Sequence, residues 1–174
     1  MRGVGHPAVG GAKAMKIISG GQTGVDRAAL DVAMELGIGT GGWCPQGRRA
    51  EDGVVPAKYS TLEETESRQF AVRTARNIRD SEATLIINEG PLSGGTAMTY
   101  HSIGYQLKKR FLVQLDSPAP NGTGEWAPEV REWLTRVGPK VLNIAGPRES
   151  KCPGIGARAA VLLREALGSW GEIR

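Results

Sequence analysis

The chain has 174 residues, of which 40% are hydrophobic and 23% charged, with a formal net charge of +4. This is a globular balance that excludes a disordered chain, and no apolar run reaches the length of a membrane span. Arg2 and Lys13 lie within the first 14 residues, and without them 20 basic residues face 18 acidic ones, so charge gives no reason to expect a nucleic-acid partner.

Residues 1–14 are small, polar and Gly-rich, and are expected to form a flexible leader ahead of a single domain over 15–174. A short apolar strand over 15–19 ends at Gly20-Gly21. A helix follows from about Gly24, with Val25, Ala28, Ala29, Val32 and Leu36 on one face and Gly37 as its stop. Residues 38–66 are rich in Gly and Pro and show little periodicity. A short strand near 40–43 is expected there, and otherwise a long ordered loop of a kind that often serves function. Next come a helix over about 67–80, a buried strand over 83–88 and a helix running to about Lys109. A strand over 111–115, a polar loop, a helix over 127–137 and a strand over 141–145 follow. The last helix carries Ile155, Ala159, Leu162, Leu163 and Ala166 on one face. The strands are continuous apolar runs and alternate with helices. That pattern predicts a three-layer, Rossmann-like α/β fold, with a mostly parallel sheet of about five strands and helices on both faces.

In such a sheet ligands bind beyond the carboxyl ends of the strands. Three strand ends here lead through small or Gly-rich turns into helices. They are Ser19-Gly20-Gly21-Gln22-Thr23-Gly24, Pro91-Leu92-Ser93-Gly94-Gly95-Thr96 and Gly146-Pro147-Arg148-Glu149-Ser150. A helix N-terminus offers unpaired N–H groups and partial positive charge, which suit an oxyanion. Gly20, Gly21, Gly24, Gly94 and Gly95 let a ligand approach the backbone. Gln22, Thr23, Ser93, Thr96, Thr99 and Ser150 are candidate ligand contacts, although the hydroxyls among them serve equally well as helix caps. Arg27, Arg76 and Arg148 are the candidate cations; Arg73 shares a helix face with Arg76, and Asp26 simply suits a helix N-terminus. Arg48, Arg49, Glu51 and Asp52 crowd the long loop, either closing over a ligand or lying in solvent. Neither the P-loop nor the dinucleotide-binding glycine pattern occurs.

The two cysteines, Cys44 and Cys152, are too few for a disulfide framework and point to a reducing, cytoplasmic setting. His101 is the only histidine outside the leader, so no Ser-His-Asp or Cys-His set forms, and no metal-ligand spacing occurs. Trp43 and Tyr59 could stack on a base or pterin ring, or belong to the core.

Five segments in one order, GGQTGVDRAALDVA, GGWCPQGRRAEDG, RTARNIRDSEATLII, GPLSGGTAMT and NIAGPRES, resemble the molybdenum carrier family. That family is a circularly permuted YpsA-like branch of the Rossmann-like superfamily that also holds lysine-decarboxylase-like phosphoribohydrolases. The resemblance spans about residues 15–170. It implies a homo-oligomer, dimer or tetramer, that holds molybdenum cofactor, molybdate or a nucleotide-sized anion between the Gly20–Gly24 and Ser93–Thr96 loops. The phosphoribohydrolase relatives place paired glutamates after the second loop, where this chain has Ala97-Met98-Thr99. A non-catalytic carrier is therefore expected over an enzyme that releases a base from a nucleoside monophosphate, with Glu89 or Glu51 the substitute acid in that alternative. A nucleotide-sensing module is a third reading.

Overall fold

In a computed structural model that describes residues 14–105 and 108–170, the chain begins with β1 (Lys16–Ile18) and α1 (Val25–Glu35). The expected leader, apart from Ala14, lies outside the described residues. Strands β2 (Gly39–Gly41), β3 (Trp43–Cys44), β4 (Arg49–Ala50), β5 (Gly53–Val54) and β6 (Glu63–Glu64) come next, then α2 (Phe70–Arg79). The remainder alternates regularly through β7 (Ala83–Asn88), α3 (Gly94–Tyr105), β8 (Lys109–Gln114), α4 (Trp126–Val137), β9 (Val141–Ala145) and α5 (Ile155–Leu167).

The central sheet has five strands in the order β2-β1-β9-β7-β8, and every pairing in it is parallel. Ile17 stands opposite Thr40 and Leu142, and Leu85 stands opposite Phe111 and Ile144. All six residues of β7 are buried, as expected of an inner strand covered on both faces. Alternate side chains sort into two cores. Ile17, Leu85, Ile87 and Ile144 pack with α1, α4 and α5, whereas Ile86 packs with Ile78 of α2 and Ile103 of α3. The result is the three-layer Rossmann-like fold that the alternating pattern predicts.

Two expectations change. The segment 38–66 is no plain loop: β3 pairs in parallel with β6, and β4 pairs antiparallel with β5. Cys44, Ala50, Val55, Tyr59 and Leu62 close a small core there with Leu30 of α1. Two-residue strands are too short to leave a period in the sequence. The helix expected to reach Lys109 is described as far as Tyr105 and is over at Lys108, and the basic run leads into β8 instead. There Lys108 Nζ donates to the carbonyls of Ile78, Arg79 and Ser81, closing the C-terminal end of α2. No helix among the described residues is long and apolar enough to cross a membrane.

The sheet order sets the position of the site. Strands β1, β9 and β7 are neighbours, so the three loops at their carboxyl ends lie side by side at the point where the strand order reverses.

Candidate functional site

A cavity of about 420 Å³ opens at this edge. Its wall takes Gln22 and Asp26 from the first loop and helix, Arg73 and Thr74 from α2, and Asn88 and Glu89 from the end of β7. Ser93, Gly94, Gly95, Thr96 and Thr99 come from the second loop and α3, and Arg148, Lys151 and Cys152 from the third.

The first glycine loop is folded around a carboxylate of its own. Asp26, only 3% exposed, accepts a 3.2 Å hydrogen bond from the Gln22 amide and a 3.1 Å bond from Arg73 Nη1. Burial pushes the Asp26 carboxyl above the usual carboxylate range, against the opposing pull of the Arg73 guanidinium and the Gln22 amide. The Thr23 amide donates to Gln22 Oε1 at 3.1 Å and the Val25 amide to the Pro147 carbonyl at 3.3 Å. Gly20 is small because the ion pair needs the room: a Cβ there would stand 1.8 Å from Arg73 Nη1. Gly24 has φ +81°, and a Cβ on it would come within 2.5 Å of the Pro147 carbonyl oxygen.

The third loop is closed in a similar way. Glu149 accepts from the amides of Gly154 and Gly156, so its carboxylate occupies the N-terminus of α5. Beside it Glu51 ties the long segment down, accepting from Thr23 Oγ1 and from the amide and hydroxyl of Ser150. Burial alone would raise the Glu51 carboxyl. The hydroxyls of Ser150 and Thr23, the Ser150 amide and nearby Arg148 outweigh it, leaving the group below its ordinary value.

The second loop differs. The amides of Gly94, Gly95 and Thr96 stand in the first turn of α3, where no helix carbonyl lies one turn back, and no carboxylate caps them among the described residues. A Cβ on Gly95 would meet nothing within 4 Å, so the backbone is bare on that side. A Cβ on Gly94 would stand 3.4 Å from Lys151 Nζ, which places that ammonium beside the helix start. The Arg148 guanidinium lies 5.1 Å from the Phe70 ring centre, and its Nε is 3.9 Å from Glu51. These groups make an N–H-rich, cationic corner suited to an oxyanion.

Of the residues singled out from sequence, Gln22, Ser93, Gly94, Gly95, Thr96, Thr99 and Arg148 come together on the cavity wall. The others are placed elsewhere. Gly20 lies under Arg73, Gly21 faces Val55 and Leu62, and Gly24 packs on the third loop. Thr23 and Ser150 are bonded to Glu51. Arg27 makes a two-point ion pair with Asp52, at 2.6 and 2.7 Å. Arg76 pairs with Glu66 and lies 4.8 Å over the Trp43 ring. Trp43 donates to Asp80, and the buried Tyr59 donates to Asp31, so neither ring lines the cavity. Sequence reasoning missed Arg73, Asn88, Lys151 and Cys152 as wall residues. For Arg73 a signal existed: it precedes the buried Asn77 by four positions and so lies one turn from a buried residue.

The profile of the circularly permutated YpsA SLOG family matches residues 17–167. Among solved structures, a protein from Syntrophus aciditrophicus SB named "Putative molybdenum carrier protein" is 41% identical. It superposes with a TM-score of 0.83, the match covering 91% of this chain and 98% of that one. No curated protein matches the chain significantly.

Proposed function

Since this chain belongs to the circularly permuted YpsA SLOG family, we propose that it is a binding or carrier protein whose cargo presents an oxyanion to the N-terminus of α3. The name of the Syntrophus protein supports a molybdenum carrier role, and the cargo we propose is molybdate or the phosphate-bearing molybdenum cofactor. One observation carries the reading. Of three neighbouring helix starts, α1 has its Val25 amide on the Pro147 carbonyl and α5 has the Gly154 and Gly156 amides on the Glu149 carboxylate, while no carboxylate caps the α3 amides, beside Lys151, among the described residues. Among the described residues no cluster of three or more His, Cys, Asp or Glu side chains forms a metal cage. Molybdenum therefore enters this reading as a hydrogen-bonded oxyanion or within its cofactor. The free thiols of Cys44 and Cys152 accord with a cytoplasmic setting.

A hydrolytic reading has one observation in its favour, the presence of Glu89 on the cavity wall. Its carboxylate is engaged by Arg158 Nε at 2.8 Å, and Ala97 and Met98 occupy the positions after Gly95-Thr96. Binding without turnover is the reading we favour, and a base-release assay on nucleoside monophosphates decides between the two. The binding function is tested by equilibrium dialysis of the full chain against molybdate, phosphate and molybdenum cofactor, with bound molybdenum and phosphorus measured by mass spectrometry. Saturable retention of about one anion per chain is expected. Absence of saturable retention of all three contradicts it.

A further inference from the structure

One carboxylate of the protein, that of Glu51, is held by a donor set that suits a ligand's oxyanion. The hydroxyls of Thr23 in the first loop and Ser150 in the third both donate to it. The Ser150 amide adds a 3.1 Å bond, and Arg148 Nε stands 3.9 Å away. Thr23 Oγ1 accepts from the Glu149 amide at 3.1 Å, so its proton is turned to Glu51. Two hydroxyls, an amide and a guanidinium from two loops therefore converge on one pair of oxygens, as they do around a bound anion. Burial raises the Glu51 carboxyl and these donors outweigh it, so the set favours a full negative charge.

The carboxylate is delivered by a part of the chain that can leave. Glu51 and Asp52 form the tip of the turn between β4 and β5, and residues 51–54 are all exposed. Ala50 and Val55 anchor the flanking chain in the small core, outside the tip. Besides the Glu51 side chain, two polar ties hold the tip: the Asp52–Arg27 ion pair, with the Asp52 side chain 47% exposed, and the Glu51 amide on Gln22 Oε1 at 2.9 Å. An exposed ion pair of this kind is worth little, so the tip can open without breaking the core. Ser150 is exposed and the Glu51 side chain is 16% exposed, which places this donor set at the surface. Arg148 also lines the main cavity, so the two places adjoin through one guanidinium.

We infer that Thr23, Ser150 and Arg148 form a second oxyanion subsite, closed by the protein's own Glu51 carboxylate as an internal stand-in, and that a bound phosphate-class oxyanion displaces Glu51 and frees the turn at 51–52. This subsite is separate from the start of α3 and does not depend on it. A tethered carboxylate competes at a high effective concentration, so the subsite fills only at phosphate levels well above those that fill an open site.

Calorimetric titration of the full chain with inorganic phosphate tests the subsite. Glu51→Ala is expected to bind one phosphate more per chain than the unmodified protein over the same concentration range, and adding Ser150→Ala is expected to weaken that extra binding at least fivefold. Equal stoichiometry in folded Glu51→Ala overturns the inference, and so does full affinity in the double variant. Gly95→Val separates the two sites. If it leaves the extra phosphate of Glu51→Ala in place, the inference holds, even where it changes nothing else and the α3 reading falls. If it removes the extra phosphate, the inference falls. The unmodified chain supplies a test that needs no variant to fold. Hydrogen exchange at the Glu51 amide is expected to rise at least tenfold in saturating phosphate relative to chloride at equal ionic strength. Exchange that phosphate leaves unchanged or slows overturns the displacement of Glu51.

Discussion

The first and second glycine loops look alike in sequence, each a pair of glycines between a strand and a helix, yet they do opposite things. Around Gly20-Gly21 the glycines make room for the protein's own charges: the Asp26 carboxylate takes the Gln22 amide and the Arg73 guanidinium fills the space above Gly20. Around Gly94-Gly95 nothing comparable is packed, and the start of α3 faces the cavity. A diglycine turn signals close approach of something to the backbone, and the neighbouring carboxylate decides whether that something is internal or a ligand. The first loop is a structural joint, and the second is the one proposed to receive the ligand.

This contrast is sharpest in stability. Removing the guanidinium with Arg73→Met leaves Asp26 as a buried carboxylate without its counter-ion, and is expected to cost about 3–5 kcal/mol at pH 7 in chemical denaturation. The loss should shrink as pH falls and Asp26, raised by burial, takes up a proton. Gly24→Ala, at φ +81° against the Pro147 carbonyl, is expected to cost about 2 kcal/mol or more in the same measurement. An effect on anion affinity with full stability in either variant would reverse the roles of the two loops.

Variants of the second loop should show the converse. Gly95→Val places a branched side chain over the open amides and is expected to weaken molybdate or phosphate binding at least tenfold, about 1.4 kcal/mol. Its stability should change by only about 0.5 kcal/mol, because a Cβ there meets nothing within 4 Å. Lys151→Met is expected to weaken the same binding by about fivefold, near 1 kcal/mol, and to make it less sensitive to salt.

The smallest effects come from pH. The Asp26 carboxyl is raised in the folded state, so the folded chain holds the extra proton and this group contributes stability that is present at low pH and lost as pH rises through its folded value. Glu51 and Asp52 are lowered, by the causes given above for Glu51 and chiefly by the Arg27 hydrogen bonds for Asp52. Their contribution is present above the unfolded carboxylate range and lost as pH falls below about 4.5. Denaturation of Asp26→Asn beside the unmodified chain between pH 4 and 7 should therefore show the unmodified chain gaining relative stability as pH falls.

The central sheet was legible because its strands are apolar runs separated by amphipathic helices, a pattern that survives any detail of loop conformation. The segment 38–66 was not, since two-residue strands carry no period and its core residues are scattered among glycines and charges. The second-loop residues singled out from the sequence do stand together on the cavity wall. In the first loop, by contrast, Asp26 does more than suit a helix start: it closes the loop by accepting from the Gln22 amide and from Arg73, which lies 47 residues away. Arg27 and Arg76 have carboxylate partners at 25 and 10 residues' separation, which no local reading of a helix face supplies. Lys151 approaches the second loop from the third only because β9 and β7 are neighbours, which is a property of the sheet order.

The most direct test of the claim that the start of α3 is the open oxyanion site is anomalous diffraction at the molybdenum edge from crystals soaked in molybdate. A peak within hydrogen-bond reach of the Gly95 and Thr96 amides and of Lys151 Nζ is the expected result. A peak at the Gln22–Gly24 turn, with the α3 start empty, would contradict it.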